Sequence, residues 1–231
     1  MQEYINEYQN INGEFASIIS KSLEADNLQV HAKAASFMDD FQQWIELLSD
    51  SYEVILYKEA LSEYRSMLLF WCMGLYKHAF ISLRSYFEAT LFGVQLSTNE
   101  LNFRLWKSES LDLYWSQITN ENEGIFSSKF VGAFSPLFCK EMGCFASFRA
   151  ECSEFIHNNY GATTRLPKAT QFDQEIFNLI GDKVESINQV IMFALTMRYM
   201  ELIRRKEKVS NFEEPIMDSI GYLTCVQEIY R

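Results

Sequence analysis

The sequence predicts an all-α protein, and three observations carry that reading. Only 3 Pro and 9 Gly interrupt 231 residues, too few for the turns of a β-sandwich or barrel. Apolar residues recur at three- and four-residue spacing over long stretches. Two S-x-x-E patterns of the helix-start type occur, Ser97-Thr-Asn-Glu100 and Ser210-Asn-Phe-Glu213.

Taken in order, Phe15, Ile18, Ile19 and Leu23 predict a short helix after Asn12-Gly13. Ala34 or Ala35, Met38, Phe41, Ile45 and Leu48 then predict an amphipathic helix over residues 28–49. From Tyr52 to Leu96 the helical pattern is nearly unbroken, and Gly74 offers a corner, giving an antiparallel pair or one kinked helix. The Ser97–Glu100 capping box predicts a short helix carrying Leu101, Leu105 and Trp106, and residues 107–123 read as a connection. Helical patterns return over 125–142 and, after Gly143, over 145–160, where Asn158-Asn159-Tyr160-Gly161 is a stop signal; residues 161–170 form a loop. The strongest periodicity, through Val184, Ile187, Ile191, Ala194 or Leu195, Arg198 and Leu202, predicts a long helix over 172–205 that serves as a bundle backbone. A last helix is expected to start near the second capping box and run past Pro215 towards Tyr230.

A hydrophobic content of 48% supplies a sizeable core, and a net charge of −11 repels polyanions unless cationic side chains are gathered locally. Broad nucleic-acid coating is therefore disfavoured, and the acidic excess serves either solubility or a basic protein partner, between which charge alone does not choose. The five cysteines are odd in number and show no C-x-x-C spacing, the pattern of buried, reduced thiols. The acidic start of the chain is neither a signal nor a transit peptide, which predicts a cytoplasmic address. The longest apolar stretch, Met67 to Tyr76, is about half of what a bilayer-spanning helix needs. No membrane association is expected.

Two polar constellations stand out. On the segment around Arg149-Ala-Glu-Cys-Ser-Glu-Phe-Ile-His157, a wheel at about 100° per residue gathers Phe148, Cys152, Phe155 and Ile156 on one arc. Arg149 and Ser153 flank that arc and His157 lies away from it. An imidazole and a guanidinium at a helix end suit a phosphodiester, with the histidine moving a proton and the arginine stabilising developing charge. The plainer alternative is a histidine in a last helical turn and a solvated arginine. The second constellation, Arg84 and Glu88, lies one helical turn apart beside the apolar stripe Phe80, Leu83, Phe87 and Leu91. It reads either as an i,i+4 ion pair or as part of a site that includes His157. His31 and His78 have no companions at ligand spacing, and no phosphate-binding loop or metalloprotease pattern occurs, so neither metal nor cofactor is expected.

Gly74-Leu-Tyr-Lys-His-Ala-Phe-Ile-Ser-Leu-Arg-Ser-Tyr-Phe-Glu88 and Cys152-Ser-Glu-Phe-Ile-His-Asn158 together resemble divergent HEPN-like proteins (higher eukaryotes and prokaryotes nucleotide-binding). The resemblance implies an antiparallel helical bundle over residues 50–205, with N-terminal helices (1–49) packing on it and a C-terminal helix (206–231), all in one globular unit. It also implies a place in bacterial anti-phage or toxin-antitoxin systems and a homodimer, with an antitoxin, a defence-complex protein or a specific RNA as partner. Catalytic members are metal-independent endoribonucleases, which would make His157 and Arg149 catalytic; Arg84 with Glu88 resembles a branch without ribonuclease activity and Ser153 matches no catalytic position of the family, so Arg84, Glu88 and Ser153 are expected to bind substrate or support the site. Seven residues separate Arg149 from His157, a wider gap than the family's catalytic pair has. The alternative is a non-catalytic helical adaptor or structural subunit of a defence complex.

Overall fold

The computed structural model describes residues 1–141 and 170–231, together with Ser147 and Pro167. Among these residues every regular element is helical: α1 (Gln2–Ser22), α2 (Ala25–Leu47), α3 (Val54–Cys72), α4 (Tyr76–Leu96), α5 (Glu100–Lys107), α6 (Trp115–Ile118), α7 (Ser128–Phe134), a 3₁₀ turn (Pro136–Glu141), α8 (Gln174–Arg205), α9 (Val209–Ile220) and α10 (Thr224–Ile229). The all-α expectation holds. The readings that fall on 145–160, Arg149, Ser153 and His157 among them, lie outside the described residues.

The centre is a hairpin of α3 and α4, turned at Gly74, whose φ of +71° lies in the left-handed region that glycine adopts without the steric cost of a Cβ. A Cβ there would also meet the Gln171 carbonyl oxygen at 2.9 Å. The two helices approach closely at Gly93, where a Cβ would meet the Tyr57 ring at 2.6 Å. Across this hairpin lies α8. Residues 190–197 of that helix are all buried, so it is enclosed on every side rather than along one stripe. Arg198, assigned by periodicity to the apolar face, is half-buried and spends its guanidinium on Ser97. α2 covers α3 and α8, and α9 packs on α8. Trp71 shows how the layers lock: its ring lies 4.7 Å from that of Phe177, and its indole N–H donates to the Phe177 carbonyl at 3.1 Å. Such a bond prevents an orphaned donor as well as adding about 1 kcal/mol.

Five local expectations are corrected. α1 runs straight through Asn12-Gly13, because Gly13 is exposed, has nothing near it to enforce a turn, and costs a helix only about 1 kcal/mol. The cap of α5 is Asn99, whose side chain accepts from the Asn102 amide at 3.0 Å, not Ser97. The expected connection 107–123 contains α6. The expected helix over 125–142 breaks at Ser135, which is extended because the following Pro136 disfavours the helical region. Finally, Ser210 does not cap: α9 starts at Val209, and the C-terminal segment is two helices divided at Gly221.

The first turns of α1 stand away from the rest, leaving Tyr4, Ile5, Tyr8 and Ile11 exposed on helical spacing. No helix of the described residues is long and apolar enough to cross a membrane.

Candidate functional site

α4 buries Leu83, Tyr86, Phe87 and Leu91 completely, and this leaves Arg84 and Glu88 at the margin of the buried stripe. Arg84 Nε donates to Glu88 Oε1 at 2.8 Å, with the side chains 38% and 27% exposed. Of the residues singled out by sequence, the structure brings these two together, one helical turn apart; Arg149, Ser153 and His157 are outside the described residues.

A second polar region was not foreseen. Between α2, α8 and α9 lies a groove of about 430 Å³. Val30, Phe37, Val184 and Pro215 form its apolar lining, and Asp40, Asp182 and Asp218 bring carboxylates to it from all three helices. At one point of the lining Lys33 Nζ meets Glu185 Oε1 at 2.7 Å, an exposed pair. Asp40 is half-buried, and its carboxyl is pushed up from 3.8 to about 6, first by loss of water and then by the charges of Asp39, Asp218 and Glu214.

Asn188 joins this groove to the core. It is 7% exposed and lines the cavity. The Tyr64 hydroxyl donates to the Ala34 carbonyl at 2.8 Å, so it must accept from Asn188 Nδ2, at 2.9 Å. The Tyr86 hydroxyl donates to Asn188 Oδ1 at 3.2 Å. This chain of bonds fixes the amide orientation and ties α2, α3, α4 and α8 to one another. Both phenols are held well above their ordinary pKa by burial, so they stay protonated donors.

No family model matches the chain, and neither a curated protein nor a solved structure matches it.

A third polar cluster is closed. Glu53, 3% exposed at the start of α3, accepts from the Tyr199 hydroxyl at 2.8 Å, and that hydroxyl lies 2.8 Å from the Tyr57 hydroxyl. Arg198 donates from Nε to the Ser97 hydroxyl at 2.8 Å and from a terminal nitrogen to the Ser97 carbonyl at 3.0 Å, and its guanidinium covers the Phe134 ring at 4.5 Å. These groups satisfy one another, as a structural cluster requires.

Sequence reasoning missed Asp40, Asp218 and Asn188 because their helices meet only in the folded chain. One signal was present: Asp39-Asp40 interrupts the apolar periodicity of α2 between Met38 and Phe41, and Asn188 follows directly on the buried Ile187.

Proposed function

We propose that the chain is a HEPN-like helical protein of a bacterial anti-phage or toxin-antitoxin system, with the Arg84–Glu88 edge of α4 at its working site. The observation that carries the reading is the Arg84–Glu88 pair itself, half-exposed against a fully buried stripe. A guanidinium kept at the lip of an apolar core by a carboxylate can exchange that carboxylate for a phosphate. In the catalytic form of this proposal the protein is a metal-independent endoribonuclease acting on a specific RNA. His157 takes the proton of a 2′-hydroxyl, Arg149 or Arg84 holds the phosphate, and Ser153 supports the site. The test is cleavage of a defined RNA by the full chain with metal chelated, compared with the His157→Ala variant. Cleavage that disappears in the variant while the melting temperature is unchanged supports the enzyme.

A second reading, a non-catalytic adaptor in a defence complex, draws on a different observation. Glu88 answers Arg84 within one helix, and a half-exposed i,i+4 pair of this kind contributes only about 0.5 kcal/mol. The net charge of −11 and the acidic groove suit a basic protein such as an antitoxin better than RNA. No RNA cleavage by the full chain, with a stable complex on co-expression with a basic neighbour protein, selects this reading. Either form of the proposal places the protein in the cytoplasm as a homodimer. The exposed stripe Tyr4, Ile5, Tyr8 and Ile11 on α1 supports self-association. Sedimentation at micromolar concentration should then give twice the 27.1 kDa chain mass.

A further inference from the structure

The groove between α2, α8 and α9 is independent of the Arg84–Glu88 edge, and its chemistry is specific. Its volume of about 430 Å³ is that of a small-molecule site. Carboxylates of three helices converge on it, and Lys33, the lysine of its lining, is engaged by Glu185. Among the described residues Asp40 has no cationic partner and no hydrogen-bond donor. A carboxylate half-withdrawn from water beside three others is costly to the fold unless a cation joins it. A second buried polar group lines the cavity. Asn188, more than nine-tenths buried and held by Tyr64 and Tyr86, keeps one N–H and one carbonyl lone pair without a partner among the described residues.

We propose that this groove binds an aliphatic cation, an ammonium or guanidinium group on a short hydrocarbon stem. The head lies between Asp40 of α2 and Asp218 of α9, and the stem rests on Val30, Phe37 and Pro215. Among the described residues no three His, Cys, Asp or Glu side chains come together closely enough to hold a metal ion. The negative potential is spread across the groove instead, as suits an extended organic cation. Two sources carry this chemistry, a free amine or the Arg or Lys side chain of a partner protein.

Binding is coupled to protons. The groups around Asp40 are Asp39 and Lys33 on its own helix, Asp182 and Glu185 on α8, Glu214 and Asp218 on α9, and the Tyr64 phenol on α3. Asp40 must be ionised to hold the cation, so affinity rises with pH through about 6 and levels off above it.

The experiment is calorimetric titration of the full chain, at constant ionic strength, with n-butylammonium chloride, with n-butanol as the neutral counterpart, and with the peptide acetyl-Ala-Ala-Arg-Ala-Ala-amide. The expected result is saturable binding of a cationic probe at least about tenfold tighter than butanol, falling about tenfold from pH 7.5 to pH 5. Asp40→Asn removes it, Asp218→Asn weakens it, and Glu46→Gln, an exposed acid outside the groove, leaves it unchanged. Butylammonium alone binding assigns a free amine, and the peptide binding with the same Asp40 dependence assigns a partner's arginine. The proposal is overturned if neither cation binds better than butanol, or if binding survives in the correctly melting Asp40→Asn protein.

Discussion

Two carboxylates sit at the margins of the same core, Glu53 at the start of α3 and Asp40 in the middle of α2, and their surroundings are opposite. Glu53 is nearly sealed and accepts a hydrogen bond from Tyr199, which in turn meets Tyr57. Asp40 keeps half its water and faces other acids. The closed cluster links the start of α3 to α8 with polar groups that answer one another, so it holds helices in register. The open cluster leaves its polar capacity unspent towards a cavity. Satisfaction within the chain marks the first as structure, and its lack marks the second as a place for something else.

The largest expected effect breaks the closed side of the comparison. Tyr199→Phe removes the hydroxyl that donates to Glu53 and accepts from Tyr57 and leaves a buried carboxylate unanswered, so stability should fall by about 3 kcal/mol in urea denaturation. Gly93→Ala attacks the same cluster through packing. Its methyl would enter the Tyr57 ring, and a loss of about 2 kcal/mol is expected from the same measurement.

The open side responds with the opposite sign. Asp40→Asn should raise stability at pH 8 by about 1 kcal/mol. The full shift corresponds to roughly 3 kcal/mol, reduced because the carboxyl is half in water. The folded pKa of about 6 lies above the unfolded value near 3.8. Between them the folded chain binds the extra proton, so this group's contribution to stability declines as pH rises from about 4 to 6 and stays low above. The difference between wild type and Asp40→Asn across that range isolates the effect, and a difference independent of pH would contradict it. Smallest is the coupling of Arg84 to Glu88, for which a double-mutant cycle of Arg84→Ala and Glu88→Ala should give about 0.5 kcal/mol because the pair is half-exposed; a coupling energy well above that would show that the pair acts as more than a surface ion pair.

What could be read from the sequence follows the range of the forces. Helices α2 and α8 announce themselves through apolar periodicity, the corner at Gly74 through a residue free of Cβ, and Arg84–Glu88 through a one-turn spacing. Each is decided by residues close in the chain. The capping of α5 is not legible because Ser97 and Asn99 offer themselves equally in the sequence: in the fold Ser97 closes α4, its hydroxyl donating to the Val94 carbonyl and accepting from Arg198, far along the chain, and Asn99 caps α5. The groove was invisible for the same reason: Asp40, Asn188 and Asp218 belong to three helices, and no periodicity says that those helices meet. The site read from Arg149, Ser153 and His157 lies outside the described residues.

The central position of α8 also bears on how the chain is made. The α3–α4 hairpin rests on local contacts and can form as soon as Leu96 has left the ribosome, yet the helix that roofs Trp71 and Tyr86 ends at Arg205. At translation speeds of about 5 to 20 residues per second, the nascent protein spends roughly 5 to 20 s with that aromatic surface uncovered. For this interval a chaperone at the exit tunnel, or a neighbouring nascent chain, competes with α8 for the same seat.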